Sequence, residues 1–119
     1  MSADKADPIV PPRDWLADPA RLHGEWQGGS LGVGHCVIAN RIDGAGGGPR
    51  LHRHPYAETI VVRCGTGRFT LGDRQIELTA GHILVIPPHT PHKFSNAGTE
   101  PLETIDIHES GSFITEWLE

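Results

Sequence analysis

The sequence predicts an all-β domain, a small barrel or a two-sheet sandwich, and three observations carry that expectation. Turn formers are dense, with 15 Gly and 10 Pro spread along 119 residues, which leaves little room for long helices. Between them lie strand-length runs of five to eight residues at the spacing of an antiparallel barrel. The third is a hairpin: Arg68-Phe-Thr-Leu71 and Arg74-Gln-Ile-Glu-Leu78 are joined by the two-residue turn Gly72-Asp73. That turn sets Leu71 opposite Arg74 and Phe69 opposite Ile76, so Phe69, Leu71, Ile76 and Leu78 share one half-buried face.

Taken in order, residues 1–29 are rich in Pro, Asp and Gly, with Trp15, Leu16, Leu22 and Trp26 as apolar anchors. They are expected to form an irregular arm on the outside of a barrel that runs from 30 to 119. Residues 31–43 suit a strand, followed by the loop Gly44-Ala-Gly-Gly-Gly-Pro49 and a short extended piece, Arg50 to His54, that ends at Pro55. Residues 57–64 contain Thr59-Ile-Val-Val62, strongly strand-favouring. After the turn Gly65-Thr-Gly67 and the hairpin, Gly81 opens a strand over His82–Ile86 that Pro87-Pro88 closes; His92–Ser95 and Pro101–His108 complete the set. The tail from Phe113 to Leu118 reads as one helical turn or a last extended segment, its apolar side chains covering the barrel exterior or a partner subunit.

Composition excludes several functions. The net charge of −5 and pI near 5.9, with no Lys/Arg run, argue against binding nucleic acid or anionic membrane. The longest aliphatic stretch, Ile83–Ile86, is far short of a span, and the N-terminus has no apolar signal core, so a cytoplasmic location is expected. Cys36 and Cys64 make no short-spaced metal pair, and a reducing compartment disfavours a disulfide, so both read as small buried side chains. The eight His stand out, since imidazole is a common metal ligand.

Their placement points to a site. His52 and His54 are two apart on an extended piece, so both imidazoles face the same way, and Glu58 keeps that parity beyond Pro55. One face thus presents two nitrogens and a carboxylate. More widely, Gly46 is followed after five residues by His52-x-His54, after three more by Glu58, and after six by Gly65. Beyond the fifteen intervening residues 66–80, Gly81 is followed after five residues by Pro87, then by His92, then after three residues by Asn96. These two blocks, 46–65 and 81–96, resemble the two motifs of the cupin superfamily. The family has Gly where this chain has His89, a position that often needs a positive φ.

The resemblance implies a double-stranded β-helix, the cupin jelly-roll barrel, binding one divalent transition metal through His52, His54, Glu58 and His92. Three imidazoles and a carboxylate suit Fe, Mn, Ni, Co, Cu or Zn, and on an octahedral ion leave two adjacent positions open. Such a centre would act on a chelating small molecule as a dioxygenase-like or isomerase-like enzyme, with Glu58 as ligand or, swung off the metal, as general base. The alternatives are a non-catalytic small-molecule or metal-binding module and a purely structural ion. Arg50 shares the parity of His52, and Phe94 that of His92, so both are expected to line the substrate pocket. His89 sits on a solvated loop or overhangs the barrel mouth. His108, in Ile105-Asp-Ile-His108, lines the pocket or lies outside, and periodicity does not choose. His23, His35 and His82 read as structural or surface residues. Related proteins commonly pair, so a homodimer is expected.

Overall fold

In the computed structural model, which describes residues 7–119, the strands form two antiparallel sheets packed face to face. The larger sheet orders β1 (Leu16–Asp18), β2 (His23–Gln27), β3 (Cys36–Ile42), β10 (Leu102–His108), β5 (Glu58–Cys64) and β8 (Ile83–Ile86). The smaller orders β11 (Glu116–Trp117), β4 (His52–Arg53), β9 (His92–Asn96), β6 (Thr66–Leu71) and β7 (Arg74–Thr79). This is the jelly-roll barrel the two motifs imply. No helix among the described residues is long and apolar enough to cross a membrane.

The hairpin follows its sequence pattern: β6 and β7 pair with Leu71 opposite Arg74 and Phe69 opposite Ile76. Phe69 is fully buried in a core with Ile60, Val62, Leu84, Ile86, Phe94 and Leu102, against which Leu71, Ile76 and Leu78 pack. Burying each such aliphatic or aromatic side chain stabilises by about 1.5–3 kcal/mol relative to exposure. Two glycines are required by close approach. A Cβ on Gly48 (φ 88°) would lie 1.9 Å from the Phe94 carbonyl oxygen, and one on Gly65 (φ 82°) 2.4 Å from that of Pro101. Gly48 thus brings the loop before β4 against β9. Asn96 secures the same loop from below: its Nδ2 donates to the carbonyls of Ile42 and Glu100, and its Oδ1 accepts from Gly98 N–H.

Three expectations change. Residues 16–27, part of the supposed irregular arm, supply β1 and β2, which extend the larger sheet beyond β3 through pairings such as Gly24 with Ala39 and Trp26 with Val37. His23-Gly-Glu-Trp-Gln27 has weak strand propensity, and an unpaired sheet edge supplies what propensity does not. The arm's residues 1–6 lie outside the described residues. The strand expected from residue 31 starts at Cys36, because Gly28–Leu31 form a 3-10 turn ending on left-handed Gly32 (φ 74°). Cys36 is buried as expected, but Cys64, at the end of β5, is exposed; both are free thiols.

The central strand β10 resolves the ambiguity of its own alternation. Leu102, Thr104, Asp106 and His108 point inward, and Ile105 and Ile107 lie on the outer face. Its neighbour β5 turns Glu58, Ile60 and Val62 inward. Both strands therefore span the barrel between an apolar end and a polar one.

Candidate metal centre

The polar end is built from two cross-strand pairs, one in each sheet. In the smaller sheet His52 on β4 opposes His92 on β9. In the larger, Glu58 on β5 opposes His108 on β10. His54 follows β4 and turns in beside them. One donor atom from each of His52, His54, Glu58 and His92 lies within 4.8 Å of the others, and all four residues are buried.

The far side of each imidazole fixes its tautomer. Nδ1 of His52 donates to the Arg50 carbonyl at 2.6 Å, that of His54 to the Ile114 carbonyl at 2.8 Å, and that of His92 to the Thr90 carbonyl at 2.9 Å. A carbonyl only accepts, so each Nδ1 carries the proton and each Nε2 presents a bare lone pair. Glu58 Oε1 lies 3.1 Å from His92 Nε2 and 3.3 Å from His54 Nε2, and His54 Nε2 has no hydrogen-bond partner. With each Nδ1 committed to a carbonyl, the three Nε2 atoms and Oε1 of Glu58 are left to face one another, and a cation between them satisfies all four at once. Backbone carbonyls pinning the outer ring nitrogens are the usual support for metal-binding histidines. The donor set therefore fits a divalent metal.

Electrostatics agree. Burial pushes the His52 imidazole down to about 4, holding it neutral. Burial alone would raise Glu58, but the surrounding His108, His54 and His92 outweigh it and hold the carboxyl well below the usual range. Deeper in, Asp106 is raised well above it by burial and by the charge of Glu58. Asn40 Nδ2 donates to Asp106 Oδ2 at 2.7 Å, and Asp106 Oδ1 has no hydrogen-bond partner.

These groups open onto a cavity of about 500 Å³, lined also by Phe94, Asp106, His108, Phe113 and Trp117. Phe94 and His108 thus face the cavity. Arg50 does not: its guanidinium lies 4.9 Å from the Trp117 ring centroid and donates to the Glu119 carbonyl. The parity argument fails there because β4 begins only at His52. His89 also stays outside the cavity, exposed, with the positive φ (64°) that the family glycine implies and its N–H bonded to the His54 carbonyl. His23, read as a surface or structural residue, sits at the cavity rim.

Sequence reasoning missed the tail's role. Residues 113–119 run extended rather than helical: β11 pairs with β4, Arg53 binds Glu116 at 2.7 Å, and Lys93 binds Glu119 at 3.0 Å. Phe113, Thr115 and Trp117 alternate onto the cavity, a period-two signal visible in the sequence, with Trp117 exposed at its mouth; Ile114 and Leu118 are exposed away from it. Tyr56 was missed too. Its ring stacks on His54 at 4.9 Å, and its hydroxyl meets His108 Nδ1 at 2.7 Å.

Comparison with known proteins agrees with this geometry. The model of the cupin domain matches residues 41–108. An uncharacterised protein of Methanocaldococcus jannaschii is 36% identical over 69 residues, covering 57% of this chain and 55% of that one. A mannose-1-phosphate guanylyltransferase of Klebsiella pneumoniae is 38% identical over 80 residues, 65% of this chain but 17% of that protein. The chain thus spans about half of the first relative and less than a fifth of the second. Among solved structures, oxalate decarboxylase of Bacillus subtilis superposes with a TM-score of 0.72 at 20% identity, over 80% of this chain and 27% of that one. That of Lactobacillus farciminis gives 0.70 at 21%, over 82% and 31%. With both motifs matched across more than half its length, the chain belongs to the cupin family.

Proposed function

We propose that this chain binds one divalent transition metal through Nε2 of His52, His54 and His92 and Oε1 of Glu58, and acts at that centre on a small chelating molecule. The observation that carries the reading is the convergence of four buried ligand atoms within 4.8 Å of one another, with the Nδ1 of each histidine already held by a backbone carbonyl. A bound ion would serve as a Lewis acid, polarising a carbonyl or enolate. The chain's own part is to hold the ligands rigid, to surround the substrate with Phe94, Phe113 and Trp117, and to place on the cavity wall Asp106, whose carboxyl burial and the charge of Glu58 raise well above the usual range. Glu58, kept ionised by its neighbours, is better suited to ligation than to taking a proton. Dioxygenase-like or isomerase-like chemistry is the reaction class the open cavity favours.

A second reading, a non-catalytic small-molecule or metal-binding module, draws support from the guanylyltransferase likeness, where the matching segment is less than a fifth of a larger protein. Elemental analysis of protein purified without added metal tests the shared premise. Loading with Fe(II), Mn(II) or Ni(II) and following oxygen consumption and product formation over diketones, catechols and flavonols separates the two. Turnover with any pair establishes the enzyme, and metal binding with silence across the panel favours the module. The superposed B. subtilis oxalate decarboxylase has Mn(II) centres, which makes Mn(II) the first ion to try.

A further inference from the structure

Four buried histidines face the polar end of the barrel, and one of them is wired in the opposite sense. His52, His54 and His92 place their Nδ1 protons on carbonyls and turn bare Nε2 atoms inward. His108 has no carbonyl at Nδ1. That nitrogen lies 2.7 Å from the Tyr56 hydroxyl, which itself receives the backbone N–H of Ile114 at 3.4 Å. A carboxylate oxygen facing Nε2 favours the imidazole proton on that side, which leaves Nδ1 free to accept the proton of the Tyr56 hydroxyl. Nε2 of His108 faces Glu58 Oε2 across 3.5 Å, while Oε1 of the same carboxylate faces His54 and His92.

We propose that His108 is a positioning residue for the metal centre rather than a fifth ligand: Tyr56 holds it as the Nε2–H tautomer, and that proton tethers Glu58 Oε2 so that Oε1 alone is offered to the metal. The inference rests on the proposed metal-binding reading for its purpose, though not for the tautomer itself. A carboxylate tethered at one oxygen binds through the other, which keeps coordination positions free for substrate. In the other tautomer, a bare His108 Nε2 would face the negative oxygen and repel it. The same tail residue, Ile114, supplies both the N–H that polarises Tyr56 and the carbonyl that fixes His54, so the C-terminal segment orients two of the groups at once.

Long-range 1H–15N spectra of the imidazoles, recorded on metal-free and Zn(II)-loaded full-length protein, test the tautomer. His108 is expected as Nε2–H and the other three as Nδ1–H; an Nδ1–H form of His108 would overturn the proposal. Tyr56→Phe, which conserves shape, is expected to turn the His108 signal into a tautomer mixture, and an unchanged signal counts against the lock. Mn(II) titrations supply the second readout. His108→Ala is expected to weaken binding by about 10-fold and to alter the Mn(II) EPR line shape, with His108→Gln, which can still donate, restoring most of both. Wild-type affinity and line shape in His108→Ala, alongside lost binding in His52→Ala, would sink the positioning role and leave the metal site standing. If wild type bound neither Mn(II) nor Zn(II), the metal reading would fail, and the positioning role with it.

Discussion

At one end of the barrel interior Phe69 and Leu102 close over Gly67 in the same core as Val62, while at the other stand Glu58, His92 and His108. β5 passes from Glu58 to Val62, β10 from His108 to Leu102, and β9 from His92 through Phe94 to Asn96. The closed end is filled mainly by apolar side chains, whose burial stabilises directly, and its buried amide, Asn96, has its hydrogen bonds met by backbone groups. The open end buries ionisable groups, each of which must be neutral or partnered to remain there. The apolar core is concentrated where the barrel is closed, and the candidate metal ligands stand where it is not.

The largest test of that contrast lies in the closed end. Phe69→Ala, 1% exposed in the wild type, is expected to cost about 3–5 kcal/mol in denaturant unfolding, with metal affinity retained under native conditions. A loss below 1 kcal/mol would show that the closed end is not where stability resides.

Acid should act on the open end. Folding lowers the proton affinity of His52 from about 6.5 to about 4, so between those values the unfolded chain binds more protons. Stability of the metal-free protein therefore falls as pH drops through that window, by up to about 3 kcal/mol. Glu58, also lowered on folding, adds to the loss at lower pH still. Urea midpoints measured from pH 7 to pH 4 should show this slope, and His52→Gln should flatten it.

Metal should reverse the comparison. At a hundredfold excess over Kd, Mn(II) is expected to add about 2.7 kcal/mol to the wild type and next to nothing to His92→Ala. Equal stabilisation of the two proteins, read by thermal unfolding, would place the ion elsewhere. The smallest effect is expected at the rim. The Arg53–Glu116 pair is largely exposed, so Arg53→Ala should change stability by less than about 1 kcal/mol, although it joins the tail to β4.

Much of this was legible in local pattern. Because strand side chains alternate, His52, His54 and Glu58 on one parity and Phe69 opposite Ile76 follow from spacing and turn length. Convergence with His92 came from the resemblance of two motifs, which carried a tertiary fact in their glycine and proline spacing. Where the pattern had no anchor it misled. Arg50 shares parity with His52 but lies outside β4, and its side chain turned to Trp117 instead. The alternation of Ile105, Asp106, Ile107 and His108 permitted either face, and β2 lacked the propensity to announce itself.

The amino-acid sequence by itself determined the all-β class, the hairpin register and the shared face of three of the four candidate ligands, because turn chemistry and a two-residue period act over a few bonds. Tertiary structure alone decided that β10 turns its acid and imidazole inward, that the tail lines the cavity, and that Tyr56 reaches His108. The physical reason is that which face a strand buries depends on what lies opposite it. Here Glu58, brought against His108 by sheet pairing, gives that polar face a partner that no neighbour in the chain supplies.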